Sequence, residues 1–212
     1  MEKIGVFDSG RGGRLVADRL QQLLPHYEYV VVNDSAHVPY GTRKREEIIS
    51  LTDHAIQPLL RHCPIIVIAC NTVTTAAIQV LRARYPKTKF VGLEPMIKPA
   101  NTLSHTGHIT MLATPYTLAS SRYLELTKLY APQLIIDEPV TGDWPLLIEA
   151  ENANMINLDA VRASCEAGSD VVVLGCTHYL ALTTRLRAIL PDGVTILEPS
   201  EAIARQIQHL LG

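Results

Sequence analysis

The chain has 212 residues, a length that allows one large domain or two small ones. Its formal net charge of −2 gives no electrostatic reason to expect nucleic acid or an anionic membrane as a partner. The sequence also has neither the ~20-residue apolar stretch of a membrane span nor an N-terminal secretory signal. We therefore expect a cytoplasmic protein with cysteines that are reduced thiols rather than disulfides.

Short runs of β-branched residues alternate with helical patterns along the whole chain. The strands are predicted at residues 4–8, 29–33, 65–69, 90–93, 109–113, 134–137, 171–174 and 195–197. The helices are predicted at residues 13–24, 44–61, 73–84, 119–130, 157–167, 180–190 and 201–211. Several strands are apolar on both faces, as parallel strands covered by helices are. The alternation therefore predicts an α/β fold with mostly parallel sheets flanked by helices.

One unit of this pattern occurs twice. Residues 66–86 and 172–191 each contain a β-branched run, a cysteine and a helical pattern that ends at proline. A second strand that ends in Glu-Pro follows each copy. The duplication predicts two related lobes that each place one thiol at a strand end.

The repeat sets the predicted division of the chain. The first lobe is predicted at residues 1–95 and the second at residues 96–198, with the active site in the cleft between them. A final helix at about residues 199–212 is expected to pack back on the first lobe. The linker is predicted near residues 95–99. Residues 138–154 are broken by prolines and a glycine, and they are predicted to form an irregular loop near the site.

Polar segments follow four of the predicted strands, where ligands bind in open α/β sheets. They are Asp8-Ser9-Gly10, Cys70-Asn71-Thr72, Thr114 with Thr117, and Cys176-Thr177-His178. Cys70 and Cys176 each precede a predicted helix, whose N-terminus would lower the pKa of the thiol. Two facing thiols could move a proton from one face of a carbon to the other. The alternative is a pair of buried, unreactive side chains.

Asp8 and His178 are the candidate proton partners of the thiols, because a carboxylate and an imidazole can each hold or take a proton. The alternatives are a loop cap for Asp8 and a hydrogen-bonded helix N-terminal residue for His178. The glycine cluster at residues 10–13 would bind a substrate carboxylate through backbone amides, unless it forms only a tight turn. The hydroxyls expected to help are those of Ser9, Thr72, Thr114, Thr117 and Thr177.

The residues favour neither a dinucleotide nor a metal as cofactor. The G-x-G-G pattern of the glycine cluster is too weak a signal for dinucleotide binding. Zinc bound by Asp8, Cys70, Cys176 and His178 is disfavoured, because Cys-x-His is not a usual zinc-ligand spacing.

Several motifs together resemble those of glutamate racemase, in the aspartate/glutamate racemase superfamily. They are DSGRGG at 8–13, HVPYGTR at 37–43, ACNT at 69–72, EP at 94–95, the T-x-x-T-x-x-S-x-x-Y pattern at 114–123, and LGCTHY at 174–179. The resemblance implies racemisation of glutamate from L to D without pyridoxal phosphate or metal, supplying D-glutamate for peptidoglycan. It implies that Cys70 and Cys176 are the catalytic acid/bases, assisted by Asp8 and His178. It also implies a substrate site formed by Ser9, Pro39, Tyr40, Gly41, Asn71, Thr72, Thr114, Thr117 and Thr177.

Departures from the family pattern keep two alternatives open. The chain is shorter than is usual, with the shortfall placed between about residues 133 and 164, Arg11 replaces a small or apolar residue, and Leu180 replaces a proline. Glu149 is the candidate counterpart of a family glutamate. One alternative is a racemase for aspartate or another small acid, and the other is a shortened racemase-like binding protein with little turnover. The expected partner is a small amino-acid substrate, without nucleic acid or membrane, and a homodimer stays open.

Overall fold

The structure, a computed structural model, describes residues 2–211. Met1, the first residue of the predicted first lobe, and Gly212, the last residue of the helix predicted to pack on it, lie outside the described residues. The strands are β1 (Lys3–Asp8), β2 (Glu28–Asn33), β3 (Ile65–Ile68), β4 (Lys89–Gly92), β5 (His108–Leu112), β6 (Ile135–Asp137), β7 (Val171–Leu174) and β8 (Thr195–Leu197). They form two four-stranded parallel sheets, with the orders β2-β1-β3-β4 and β6-β5-β7-β8. The predicted fold class is confirmed.

Helices connect the strands, as parallel pairing requires. They are α1 (Gly12–Leu23), α2 (Arg45–Ala55), α3 (Gln57–Leu60), α4 (Asn71–Arg84), α5 (Ile97–Leu103), α6 (Pro115–Leu118), α7 (Ser121–Tyr130), α8 (Trp144–Glu149), α9 (Asp159–Glu166), α10 (Thr183–Ile189) and α11 (Ser200–Leu211). Short 3₁₀ turns lie at Ser35–His37, Tyr40–Thr42, Ala153–Met155 and Thr177–Leu182. Among the helices within residues 2–211, none is both long and apolar enough to cross a membrane.

The chain divides into two compact units. The first contains residues 2–94 and 199–211, and the second is Pro95–Glu198. Because the two sheets share one strand order, β1 corresponds to β5 and β3 corresponds to β7. The repeat in the sequence is therefore a repeat of topology.

In the first unit, the two central strands are buried because helices cover both faces of the sheet. All of β3 is buried, and β1 is buried from Ile4 to Asp8. The helix α1 buries Val16 and Leu20, and α11 packs against α1 and β4. Asp8 is the exception to the apolar character of β1, since it is a fully buried carboxyl group. Such a group is costly unless hydrogen bonds satisfy it.

In the second unit, an apolar cluster lies on each face of the sheet. Val172 and Leu174 enter one cluster, whereas Val171 and Val173 enter the other. This alternation follows from the two-residue period of a strand. All of β7 is buried, so the backbone that leads to Cys176 is held from both sides.

Three predicted helices differ from the observed ones. The predicted helix at residues 44–61 is divided into α2 and α3, and Pro58 lies in the first turn of α3, where a missing amide hydrogen costs least. The predicted helix at residues 119–130 begins two residues later, as α7, with Ser120 as its N-cap residue, whose hydroxyl accepts from the Tyr123 amide. The predicted helix at residues 180–190 begins as a 3₁₀ turn.

Three helices lie where helices were not predicted, and one of them, α6, directly precedes the predicted helix at residues 119–130. The helix α5 begins within the predicted linker, and α8 lies in the region at residues 138–154 that was predicted to be irregular. Pro99 and Pro145 suggested breaks, but both lie in the first turn of a helix. A first-turn amide has no acceptor within the helix, so proline is tolerated there.

Candidate active site

In the first unit, three predicted site residues meet at the carboxyl ends of β1 and β3. The Ser9 hydroxyl donates to Asp8 Oδ1 at 3.3 Å and lies 3.3 Å from Cys70 Sγ. The Gly10 amide donates to the same Asp8 oxygen at 3.1 Å. This amide, predicted to bind a substrate carboxylate, therefore binds a carboxylate of the chain itself. One hydroxyl links the buried carboxyl group to the thiol.

Cys70 is held at the start of α4, as predicted. It is the N-cap residue of this helix, with extended backbone angles, and its carbonyl accepts from the Thr74 amide at 2.8 Å. The Thr74 hydroxyl accepts from the Leu93 amide at 3.1 Å, which ties α4 to the segment after β4. Asn71 and Thr72 form the first turn of α4 and are buried.

Tyr40 lies in the same unit, near Cys70. Its hydroxyl donates to Asp34 Oδ2 at 2.7 Å, and the other Asp34 oxygen lies 2.7 Å from His37 Nδ1. Burial, the hydrogen bond and charge of Asp34, and the charge of Cys70 together raise the pKa of Tyr40 well above its usual value. Tyr40 therefore stays protonated, and because its one hydroxyl hydrogen is donated to Asp34, the hydroxyl oxygen can otherwise only accept.

Asp34 was not predicted from the sequence. It directly follows β2, and its amide donates to the Asp8 carbonyl at 3.0 Å, so it lies at the same sheet edge as the predicted residues. A carboxylate immediately after a strand was the signal that could have found it. Pro39 and Gly41, on either side of Tyr40, are partly buried.

In the second unit, the thiol lies beside an imidazole that is paired with a carboxylate. Cys176 Sγ is 3.7 Å from His178 Nδ1, and His178 Nε2 is 2.7 Å from Glu149 Oε1. The His178 side chain is 4% exposed and that of Glu149 is 15% exposed. Because an ionised carboxylate can only accept, Nε2 is the donor in this bond, and whenever the imidazole is neutral its Nδ1 is an acceptor that faces the thiol.

The helix α8 explains the position of Glu149. It ends at Glu149 and buries Trp144, whose ring packs edge-on against Tyr179 with the ring centroids 5.4 Å apart. Tyr179 is fully buried in the apolar cluster that also contains Cys176. Burial, followed by the charge of Cys176, raises the pKa of Tyr179. An apolar wall therefore stands on one side of this thiol.

Cys176 is followed by a 3₁₀ turn before α10 begins, whereas Cys70 directly precedes an α-helix. Cys176 has an extended backbone, but the turn that follows is a 3₁₀ turn, in which the Tyr179 amide donates to the Cys176 carbonyl at 3.0 Å. This is a bond to the third residue along the chain, whereas the Cys70 carbonyl accepts from the fourth. The tighter turn buries Thr177 and His178 together.

Hydroxyls follow β5 where Asp8 ends the corresponding strand of the first unit. Thr114 is the N-cap residue of α6, and its hydroxyl accepts from the Thr117 amide at 3.4 Å. The two threonine hydroxyls lie 3.1 Å apart. They form a polar pair of the kind predicted for a substrate carboxylate.

The other two cysteines lie outside these sites. Burial raises the pKa of the Cys63 and Cys165 thiols, which favours the uncharged form in both. The four cysteines are free thiols. Within the described chain, no group of three or more histidine, cysteine or acidic side chains is arranged to hold a metal ion.

Comparisons with known proteins find similar sequences along nearly the whole chain. The family model described as Asp/Glu/Hydantoin racemase matches residues 14–207. A glutamate racemase from Ectopseudomonas mendocina (strain ymp) is 38% identical over 221 residues, covering 99% of this chain and 82% of the relative. A glutamate racemase from Herpetosiphon aurantiacus is 37% identical, covering 99% of this chain and 85% of the relative.

Solved structures show the same fold. The crystal structure of Escherichia coli glutamate racemase, in complex with L-glutamate and the activator UDP-MurNAc-ala, has a TM-score of 0.87 and 32% identity, covering 99% of this chain and 82% of that one. An aspartate racemase from Picrophilus torridus has a TM-score of 0.68 and 17% identity, covering 99% of this chain and 94% of that one, and shows a shared fold alone.

Proposed function

This chain belongs to the Asp/Glu/hydantoin racemase family, and on that premise we propose that it racemises glutamate by moving a proton between two thiols. The single observation that carries the proposal is the hydrogen-bonded chain from Cys176 through His178 to Glu149. A thiol beside a neutral imidazole that a carboxylate holds in one tautomer is an acid/base arrangement, which an inert buried cysteine does not need.

The proposed reaction is a 1,1-proton transfer at the α-carbon. One thiolate removes the α-proton, and the electron pair of the C–H bond stays on carbon as a carbanion. The other thiol then delivers its proton to the opposite face of that carbon. The thiolate charge has moved from one sulfur to the other, and the configuration is inverted. Two thiols are needed because a single base would return the proton to the face from which it came.

Each thiol is proposed to have its own proton partner. Asp8 acts on Cys70 through the Ser9 hydroxyl, which bonds to both. His178 acts on Cys176 directly, since its Nδ1 faces the sulfur. General acid/base assistance of this kind contributes typically ~10² to 10⁴ in rate. Glu149 is a positioning residue in this scheme, because it fixes the imidazole tautomer rather than contacting the thiol.

The carbanion needs electrostatic support, since the α-proton of an amino acid is only weakly acidic. We propose that donors around the substrate carboxylate supply this support. The residues proposed to surround the substrate are Ser9, Pro39, Tyr40, Gly41, Asn71, Thr72, Thr114, Thr117 and Thr177. Pro39 has no N–H and would only pack against the substrate, whereas the others can donate through side chains or backbone amides. The reaction then uses only groups of the chain itself, without a cofactor or metal.

The proposed substrate is glutamate rather than aspartate. The glutamate racemases compared above are 37–38% identical to this chain, and the E. coli structure of 32% identity contains L-glutamate. The product D-glutamate would supply peptidoglycan synthesis in the cytoplasm. A racemase for another small acid and a binding protein with little turnover are the competing outcomes of the test below.

The test is α-proton exchange in D₂O. The protein is incubated with L- or D-glutamate, with aspartate as a parallel substrate, and both circular dichroism and α-deuterium uptake are followed. We expect optical activity to decay to zero with glutamate and much more slowly with aspartate. Exchange with aspartate alone would move the proposal to another substrate. A folded protein that binds glutamate by calorimetry, without exchange or loss of optical activity, would overturn it.

A further inference from the structure

We propose that Arg185 is a positioning residue that holds Glu149 against His178, the imidazole beside the thiol of the second unit. This inference rests on the proposed function, because it concerns how one of the two proposed acid/bases is kept in its geometry. Arg185 acts through the backbone between α8 and α9, and it takes no part in the proton transfer itself. Its predicted effect is on the rate of the chemical step rather than on substrate binding.

Arg185 lies on α10 and bonds to the backbone of the segment that follows α8. Its Nη1 donates to the Ala153 carbonyl, and its Nη2 donates to the Ile156 carbonyl at 2.8 Å. The two carbonyls lie at the start of the 3₁₀ turn Ala153–Met155 and directly after its end. Because a guanidinium presents its donors in one rigid plane, this single side chain fixes both ends of the turn.

The end of α8 needs support of this kind. Glu151 has a φ of 61°, in the left-handed region that favours glycine. Its amide donates to the Ile148 carbonyl at 3.1 Å. The Asn152 amide donates to the Leu147 carbonyl at 2.8 Å, which completes the Schellman pattern of a helix end. A residue other than glycine keeps this conformation only where the surrounding structure holds it, so bonds from outside the segment stabilise the end of α8.

Arg185 closes a ring of elements around the pair of Glu149 and His178. His178 lies in the 3₁₀ turn Thr177–Leu182, and α10 continues directly from that turn. Arg185 on α10 bonds to the segment after α8, and α8 ends at Glu149, whose Oε1 lies 2.7 Å from His178 Nε2. Each step of this ring is either continuous backbone or a hydrogen bond. Loss of the bonds from Arg185 would open the ring and let the end of α8 move relative to the imidazole.

Apolar packing places the bonded segment beside the same thiol. Ile156 is buried in the apolar cluster that contains Cys176, and Ala153 packs against that cluster. Leu186, which follows Arg185 in the chain, is buried in the same cluster. The bonds from Arg185 therefore join two parts of the core that supports the second site. A small shift between them would change the distance from the carboxylate of α8 to the imidazole, and acid/base catalysis is sensitive to such shifts.

The test compares Arg185→Met with Arg187→Met. Methionine keeps an unbranched stem but has no donor, and Arg187 is a matched control because it is exposed on the same helix. For Arg185→Met we expect kcat for glutamate racemisation to fall about tenfold with KM within about twofold, since the geometry of an acid/base is changed rather than substrate binding. Arg185→Lys, which keeps the charge and one donor group, should lose less. Arg187→Met should behave as the unmodified protein.

A double-variant comparison separates positioning from a general effect on the fold. In a Glu149→Ala background there is no carboxylate to hold, so adding Arg185→Met should change kcat there by less than about twofold. An equal loss in both backgrounds would show that Arg185 supports the fold rather than the pair of Glu149 and His178, and it would overturn the inference. Unchanged kcat in Arg185→Met would do the same. If Arg185→Met does not fold, Arg185→Lys is compared in the two backgrounds, and its smaller loss should likewise vanish in Glu149→Ala.

Nuclear magnetic resonance of His178 keeps this result separate from a failure of the proposed function. The proton on His178 Nε2 is identified by its absence in His178→Gln, and its exchange with water is measured without substrate. We expect this exchange to be slow in the unmodified protein and Arg187→Met, and faster in Arg185→Met, because the bond to Glu149 opens more often. If the unmodified protein does not racemise glutamate, the proposed function fails, and this difference in exchange would still support the role of Arg185. Equal exchange rates, or no such proton in the unmodified protein, would refute it.

Discussion

The two thiols follow corresponding strands of two sheets with the same strand order, yet their neighbours differ in kind. Cys70 is linked through a serine hydroxyl to a fully buried carboxyl group, and it caps a 14-residue helix. Cys176 faces an imidazole that a carboxylate holds, and a 3₁₀ turn follows it. Topology therefore determines where the thiols lie, whereas the residues after β1 and within α8 determine which proton partner each one has.

The largest expected effect comes from removing either sulfur. We expect Cys70→Ala and Cys176→Ala each to lower the racemisation rate by at least about 10³-fold, because both are acid/bases in one turnover. Loss of optical activity with L- and D-glutamate is the measurement. Cys165→Ala is the matched control, since this buried cysteine lies outside both sites. Full activity in either Cys70→Ala or Cys176→Ala would show that the two thiols are not both required and would contradict the two-base scheme.

The next effect separates the two proton partners. We expect Asp8→Asn and Glu149→Gln each to slow racemisation about 10²-fold, because each removes support for one thiol. The equilibrium constant of a racemisation is one, so kcat/KM must fall equally in both directions. The α-deuterium isotope effect should instead increase in one direction for Asp8→Asn and in the opposite direction for Glu149→Gln.

Glu125→Gln provides the control for this pair. Glu125 is an exposed carboxylate that pairs with Arg122 at 3.0 Å. We expect its substitution to change neither the rate nor the isotope effect. Isotope effects that change in the same direction for both site variants would show that Asp8 and Glu149 do not serve separate thiols.

A smaller effect is expected from the glycine beside Asp8. A Cβ at Gly13 would lie 2.6 Å from both Asp8 Cβ and Asn33 Oδ1. We expect Gly13→Ala to lower the free energy of unfolding by about 1–3 kcal/mol, as overpacking does, and to lower activity. Gly175, before Cys176, has its closest such contacts at 3.0 Å and should be more tolerant. Urea unfolding would measure the stability of Gly13→Ala and Gly175→Ala. Gly142→Ala is the control, because a Cβ at Gly142 would have no atom within 4 Å.

The smallest effect concerns the edge strands of the two sheets. In the first unit, an exposed ion pair joins Lys3 to Glu28 across β1 and β2 at 3.2 Å. In the second, Asp137 on β6 accepts from Ser164 and lies 2.8 Å from His108 Nε2. The hydrogen bond from Ser164, opposed by burial and helped by His108, lowers the pKa of Asp137 below its ordinary value of 3.8.

The sign of the pH effect follows from this lowered pKa. A depressed folded-state pKa adds stability above the ordinary value, and that stability is lost as the pH falls through the folded-state value. We expect Asp137→Asn to destabilise the protein by about 1 kcal/mol at pH 7, with the difference shrinking below pH 3.8. Urea unfolding at several pH values checks this. Asp159→Asn is the control, because the Asp159 side chain is exposed. A loss of stability in Asp137→Asn that does not change with pH would contradict a stabilising role of the ionised Asp137 carboxylate.

The central strands β1, β3, β5 and β7 were predictable because their apolar runs are buried on both faces, and such runs are visible in the local sequence. Val171–Leu174 and Thr195–Leu197 were predicted with their observed bounds, and each of the other six strands differs by one residue at one or both ends. The cysteines after β3 and β7 were recognisable because the repeat marks both. Predicting these parts of the fold requires only the local periodicity of the sequence and the recognition of one duplicated unit.

The missed parts depend on contacts that no local pattern shows. The helix α8 was hidden by Pro145, which is harmless in a first turn, and the bond from Glu149 to His178 spans 29 residues. Asp34 joins the site only because β2 pairs with β1 in register. The 3₁₀ turn after Cys176 differs from an α-helix only in which carbonyl accepts each amide. The residue types in this turn are equally compatible with an α-helix, so the sequence could not distinguish the two.

The helix α11 makes the first unit discontinuous in sequence, with residues 95–198 lying between its two parts. Contacts of α11 with α1 therefore close a very long loop, and such closures slow folding. The second unit has no such requirement, because all of its strands and helices lie in one continuous segment, Pro95–Glu198. We expect hydrogen exchange during refolding to protect β5 and β7 before α11 and β4, so that the docking of a short amphipathic helix is the late kinetic step for the half of the molecule that carries Cys70.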